Sequence, residues 1–178
     1  LIGVSKQPGA FSEKIVREMK KYVDIPIIFA LSNPTSKSEC TPTQAYEWTE
    51  GNVVYASGSP FDPVKYKGKT YATGQGNNMY IFPGVGLGAV ACKATKITDS
   101  MFYTAAKTLA KLVSKEDLQK GRVYPDLKGI REISAHIAAS VCDVAYSEGF
   151  AWEKRPDNIL EFVKSKMFQP VYLPYKPV

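Results

Sequence analysis

Apolar positions recur along this chain in two rhythms. Residues 2–4 (IGV) form a short apolar run that passes into a polar loop at 5–9, and Phe11, Ile15, Val16, Met19 and Val23 then repeat at helical spacing. The pattern predicts a strand followed by a helix. Residues 26–31 (PIIFAL) are continuously apolar over a strand's length, which suits a central parallel strand covered on both faces. It stops at Ser32-Asn33-Pro34. Thr41, Pro42 and Gln44 then supply an N-cap, a proline at the first helical position and a capping-box partner, and Gly51 stands where a C-cap belongs. A helix over 42–50 follows, then a strand over 53–56 (VVYA) ending in Ser57-Gly58-Ser59-Pro60. The β-α-β-α-β order predicts a parallel sheet with right-handed crossovers.

Beyond residue 60 the rhythm becomes helical. Residues 61–76 are turn-rich, with 65–70 (KYKGKT) reading as a small exposed hairpin around Gly68. Helices are expected over 85–93, 99–113 and 130–147, with a short one after the Ser114 cap and a last one from Pro156-Asp157 to about 166. In the 130–147 helix Ile130, Ile133, Ile137, Val141 and Val144 form the inward face. The end, QPVYLPYKPV, holds three prolines and is expected to pack across a surface or a neighbouring subunit.

Composition narrows the class. At 178 residues, 44% hydrophobic and 22% charged, the chain suits one domain with a real core. No apolar run reaches the roughly 18 residues of a bilayer helix, and the first residues do not read as a signal peptide; Leu1 reads as a strand cut open. The formal charge of +6 comes from lysines scattered among acids, with no nucleic-acid motif, so a solvated surface is expected rather than a nucleic-acid site. Cys40, Cys92 and Cys142 are widely spaced without a C-x-x-C, which predicts reduced thiols in an intracellular compartment.

In open parallel α/β sheets, ligands bind beyond the carboxyl ends of the strands. Ser32-Asn33-Pro34-Thr35 and Ser57-Gly58-Ser59 lie at such ends, and Gly74-Gln75-Gly76-Asn77-Asn78 precedes the glycine-rich helix. Small residues let a flat ring approach the backbone, and Asn amides bind a carboxylate or carboxamide without adding charge. Each cluster alone also reads as a turn; three on one edge favour a site. The G-x-G-x-x-A run at Gly84 to Ala89 is set aside as a dinucleotide fingerprint. Pro83 precedes it, the apolar run before it is short, and no acid-bearing strand follows. It reads as a helix that packs closely, its N-terminus able to face a ligand. His136, the only histidine, reads as a surface residue, Asp62 as a turn residue and Cys40 as structural.

LSNPTSKSEC (31–40), ASGSPFDP (56–63), GQGNN (74–78) and YIFPGVGLG (80–88), in this order and spacing, resemble the malic enzyme family, over nearly all the chain up to about Trp152. The resemblance implies an incomplete Rossmann-like three-layer α/β domain with a short parallel sheet and helices on both faces. Residues 1–150 would be the C-terminal portion of the family's NAD(P)-binding domain, and 151–178 a C-terminal helix and tail. It implies oxidative decarboxylation of L-malate to pyruvate and CO2 with reduction of NAD or NADP, assisted by Mg2+ or Mn2+. Asn33, Asn77 and Asn78 would bind substrate, with the choice between Asn77 and Asn78 open; Ser32, Asn33, Ser57, Gly58 and Asn77 would face the cofactor.

The family's catalytic Tyr and Lys, its three metal-binding carboxylates, its malate-binding Arg and its phosphate-binding glycine motif would lie upstream of Leu1. No catalytic or metal-binding residue is therefore expected here, and the chain alone is expected to be inactive. Its expected partners are the N-terminal part of the same enzyme and, as is usual in the family, further copies in a homo-oligomer, with no membrane or nucleic acid. A cytoplasmic location is expected, with mitochondrion, hydrogenosome or plastid as alternatives. The competing reading is a non-catalytic interaction module that keeps the fold.

Overall fold

The computed structural model describes residues 1–172 and 174. Two compact units emerge: Leu1–Tyr80 with Lys107–Ile130, and Ile81–Ala106 with Arg131–Val178.

The first unit begins β1 (Ile2–Gly3), α1 (Glu13–Tyr22), β2 (Ile27–Ala30), α2 (Pro42–Trp48) and β3 (Val54–Ser57). The hairpin β4 (Val64–Tyr66) and β5 (Lys69–Tyr71) follows, then β6 (Gly74–Gln75). Four strands pair in parallel in the order β1-β2-β3-β6. The expected capping box starts α2: the Thr41 hydroxyl accepts from Gln44 N–H, and the Gln44 amide oxygen accepts from Thr41 N–H. Val16 of α1 and Ala45 and Tyr46 of α2 close a core with Ile28, Ala30 and Tyr55 from the sheet.

Several expectations change. Residues 26–31 are covered unevenly, the face opposite α1 and α2 carrying half-buried Phe29 beside the Tyr124 ring. Ile28 and Ala30 are fully buried toward α1 and α2, whereas Ile27 on the opposite face is 52% exposed, because those two helices occupy one side of the sheet. Ile15 of α1 and Val23, the residue that caps its C-terminus, are likewise exposed, the helix burying a narrow stripe around Val16. The hairpin around Gly68 is exposed over 65–70 as expected, apart from half-buried Tyr66, and is anchored at its ends, where Val64 is buried and Tyr71 stacks on Tyr46 with ring centroids 4.3 Å apart. Its two-residue turn places Lys67 and Gly68 at positive φ, as a tight hairpin with right-handed strand twist requires. Strand β6 has no counterpart among the expected elements, since a Gly-Gln pair has no apolar signature.

The second unit contains α3 (Phe82–Ala91), most of α4 (Asp99–Lys111) and α6 (Ile130–Ser147), and α7 (Ile159–Lys166); the short α5 (Lys115–Gln119) belongs to the first. α3 packs on α6 through glycine. A methyl at Gly84 would fall 2.7 Å from Ile137 Cβ, and one at Gly88 2.7 Å from the Ala138 carbonyl oxygen. This is the close packing expected of the run at Gly84. On α6 the buried side is Ile133, Ile137 and Val141 with small residues between, while Ile130 and Val144 are half-buried. Asn158 rather than Pro156-Asp157 caps α7, its side-chain oxygen accepting from Glu161 N–H at 3.1 Å. Of the proline-rich tail, residues 169–172 and 174 are described and are exposed, Tyr172 completely, so they do not pack across this chain's surface as expected; the rest of the tail lies outside the described residues.

Candidate functional site

Gly3, Ala30, Ser57 and Gln75 are register partners in one row across the first unit's sheet. At the usual strand spacing that row spans roughly 14 Å. The segments that follow, at Ser5, Ser32-Asn33, Gly58-Ser59 and Gly76-Asn77, therefore leave the sheet side by side at its carboxyl edge.

Gly58 sits where two backbones nearly touch. A methyl there would lie 2.1 Å from the Leu31 carbonyl oxygen and 2.8 Å from Asn33 Oδ1, so no side chain fits without moving the β2 loop. The Ser59 hydroxyl donates to Asn33 Oδ1 at 2.5 Å, and Gln75 Nε2 donates to the Gly58 carbonyl at 3.1 Å. Gly76 N–H donates to the Ser57 carbonyl at 2.8 Å, prolonging the β3–β6 pairing past the strand ends. Asn77 Oδ1 accepts from Met79 N–H at 3.0 Å, and Asn78 begins the 3-10 turn Asn78–Tyr80.

These bonds settle what each amide can offer. Asn33 and Asn77 both use their side-chain oxygen internally, which leaves their NH2 groups as uncharged donors. Asn33 and Asn78 are exposed, Asn77 is half-buried and Gly58 is buried. Ser32 and Ser57 differ from these. Both are buried, Ser57 donating to the Ser59 carbonyl at 2.8 Å and Ser32 to Glu39 Oε1 at 2.5 Å, so their hydroxyls are engaged inside the chain.

Two residues that sequence reasoning passed over stand beside this edge. Tyr124 Oη would be 3.3 Å from a methyl on Gly76, and its ring stacks on Tyr80 with centroids 5.5 Å apart. The Tyr80 hydroxyl fixes the segment by donating to the Pro125 carbonyl at 2.6 Å. Burial pushes the Tyr80 phenol up to about 12 and also raises Tyr124, so both remain protonated donors at neutral pH. Gln75, Tyr80 and Tyr124 line a cleft of about 140 Å³ together with Pro60, Phe61 and Arg122. Arg122 is balanced there by Asp117 at 3.1 Å and Asp126 at 3.5 Å. The second overlooked residue is Glu39, fully buried behind the β2 loop.

The other chemical groups are silent. His136 is half-buried on α6. Burial pushes Cys40 and Cys142 up to about 12 and raises Cys92, the opposite of an activated thiol. Among the described residues no three His, Cys, Asp or Glu side chains converge to hold a metal ion, and no helix is long and apolar enough to cross a membrane.

An all-parallel sheet whose strand ends gather glycines and uncharged amides is the architecture of a Rossmann-like α/β binding domain. The chain belongs to the malic enzyme family: the family described as "Malic enzyme, NAD binding domain" matches residues 1–146. An NADP-dependent malic enzyme of Dictyostelium discoideum is 55% identical over 172 residues, covering 97% of this chain and 32% of that protein. One from Vitis vinifera is 48% identical over 177 residues, covering 99% of this chain and 30% of that protein. The crystal structure of a malic enzyme from Pyrococcus horikoshii Ot3 superposes with a TM-score of 0.68 at 27% identity, over 93% of this chain and 33% of that one. The chain thus spans about a third of the length of these relatives.

Proposed function

We propose that this chain is the substrate-facing part of the cofactor domain of a malic enzyme, which oxidatively decarboxylates L-malate to pyruvate and CO2 while reducing NAD or NADP. The observation that carries the reading is the row of adjacent strand ends from which the segments bearing Asn33, Gly58 and Asn77 leave, with Asn33 against Gly58. The family match and the NADP dependence named for the relatives support it.

The residues divide the work by chemistry. The NH2 groups of Asn33 and Asn77 donate to the malate carboxylates and the nicotinamide carboxamide; as neutral donors they hold an anion without a counter-charge that decarboxylation would have to overcome. Gly58 and Gly76 leave room for a flat ring against the backbone. Ser57 shapes the Gly58 turn from behind, and Ser32 does the same for Asn33. Asn78, exposed on the first turn after β6, is the alternative to Asn77 as the malate contact.

A dinucleotide held at this edge would supply the acceptor for the hydride at C2 of malate, and the family's divalent ion would supply a Lewis acid for the resulting ketone; among the described residues no three His, Cys, Asp or Glu side chains converge to hold that ion. On the family reading the general acid and base would lie outside this chain, so the 178 residues alone are expected to be inactive, with the activity carried by a longer polypeptide or a partner segment. The relatives' threefold greater length supports this division.

Asn33→Ala in the complete enzyme tests the site. A lost hydrogen bond to a charged ligand contributes about 1.5–3 kcal/mol, so kcat/KM for malate should fall by about 10- to 100-fold. A value within twofold of the parent enzyme would remove Asn33 from the site.

A further inference from the structure

Glu39 presents a buried charge that the proposed chemistry does not use. Its side chain is wholly inaccessible, and among the described residues no cation pairs with it. Its oxygens are held by neutral donors alone. Oε1 accepts from Ser5 N–H at 2.9 Å, from the Ser5 hydroxyl at 3.2 Å and from the Ser32 hydroxyl at 2.5 Å. Oε2 accepts from Ser32 N–H at 3.4 Å. The Ser32 hydroxyl in turn accepts from Lys6 N–H at 2.8 Å, which holds Lys6 at a φ of 56°, a backbone state that a lysine rarely adopts.

Space has been made for this carboxylate. A methyl on Gly3 would stand 2.6 Å from Glu39 Cδ and 2.6 Å from Phe11 Cζ, so β1 carries a glycine where the carboxylate passes. Burying a carboxylate without a counter-ion is costly, and an apolar side chain could fill the volume at lower cost. What an apolar side chain could not do is bind the loop after β1 to the loop after β2. Those loops are neighbours at the carboxyl edge, and the second carries Asn33 immediately after Ser32.

We propose that Glu39 is the positioning residue of this edge: its carboxylate ties residues 5–6 to Ser32 and so fixes Asn33 against bound malate. The proposal rests on the malic enzyme reading above. It concerns a residue that touches neither substrate nor cofactor and acts through Ser32.

The test uses the complete enzyme with Glu39→Gln and Ser32→Ala, assayed well below their melting temperatures. The amide introduced by Glu39→Gln keeps one acceptor but turns an NH2 toward Ser32 N–H, whereas Ser32→Ala removes the hydroxyl link to the β2 loop and leaves the longer Ser32 N–H contact and Ser5 bonded. The KM for malate is expected to rise about tenfold in the first variant and about threefold in the second, with the KM for the dinucleotide changed less than about twofold. A purely structural role would lower Tm and the active fraction without moving the KM for malate, and that result in both variants overturns the proposal. If Glu39→Gln does not fold, Ser32→Ala decides alone. Hydrogen exchange separates this inference from the functional reading. Faster exchange at 31–38 in Ser32→Ala, with 54–57 unchanged, is expected even if the parent enzyme ignores malate, and unchanged exchange there overturns the proposal.

Discussion

Replacing the three glycines of α3 by alanine, one at a time, separates packing from phosphate binding at the run Gly84 to Ala89. The three positions share a helix and a chemistry but not an environment. At Gly86 nothing lies within 4 Å of the added methyl. The substitution should therefore return the ordinary helix-propensity difference of about 0.8–1 kcal/mol as added stability. At Gly84 the methyl would meet Ile137 Cβ and Cγ2 at 2.7 Å, and at Gly88 the Ala138 carbonyl at 2.7 Å and Val141 Cβ at 2.9 Å. Relief requires α3 and α6 to part by several tenths of an ångström. Overpacking of this kind costs about 1–3 kcal/mol, which outweighs the same propensity gain. For a chain of this size 1 kcal/mol moves Tm by about 2–4 °C. Thermal unfolding should show Gly86→Ala slightly above the parent and Gly84→Ala and Gly88→Ala below it. In the complete enzyme the dinucleotide KM should be unchanged by Gly86→Ala, because a phosphate-binding loop would need that central glycine for close approach of the ligand. A tenfold rise in that KM, or a loss of stability at Gly86 equal to that at Gly84, would refute the packing account.

Four further outcomes follow from the geometry. Gly58→Ala drives a methyl to 2.1 Å from the Leu31 carbonyl, so Asn33 must shift by about 1 Å, and kcat/KM for malate should drop on the order of 100-fold; retained activity would place the ligand elsewhere. Lys6→Gly relieves a left-handed backbone costing about 1–2 kcal/mol against a glycine entropy of about 0.5–1, so a small rise in Tm is expected by calorimetry, and a fall would contradict it. Burial alone would raise the Glu39 carboxyl, but the hydrogen bonds from Ser32 and Ser5 outweigh it and hold the group below its ordinary 4.5. Its contribution is then present above that pH and lost as pH falls through the lowered value, so the Tm gap between the parent chain and Glu39→Gln should close on acidification, and a constant gap would speak against it. All three thiols should ignore a thiol reagent in the native state and react after denaturation; one fast thiol would contradict the burial of Cys40, Cys92 and Cys142.

What is legible in the sequence is what is local. The capping box at Thr41, the α6 boundaries and the turn around Gly68 each depend on a few adjacent residues, and they stand where the pattern puts them. The edge clusters are legible because strand ends and small polar residues coincide in the chain. Contacts between distant segments leave no such trace. Glu39 reads as one more acid in a polar stretch, and only the return of Ser5 and Ser32 around it shows a buried knot. Strand β6 has no apolar signature because it is recruited by backbone bonds to β3. Residues 26–31 look evenly two-sided because all are apolar, yet Ile28 and Ala30 join the core with α1 and α2 while Ile27 stays exposed and Phe29 lies beside the Tyr124 ring. Tyr124 carries no local signal because its role arises where its ring lies over Gly76, a residue far from it along the chain.

If this chain supplies a substrate-facing edge to a malic enzyme, turnover requires residues outside it. The most direct measurement is malate-dependent reduction of NAD and NADP, with Mg2+ or Mn2+ present and pyruvate quantified, by the purified 178-residue chain and by the complete polypeptide that carries it. One pyruvate per reduced dinucleotide is expected from the complete polypeptide and none from the chain alone. Turnover by the chain alone, or no malate-dependent reduction by the complete polypeptide, would contradict it.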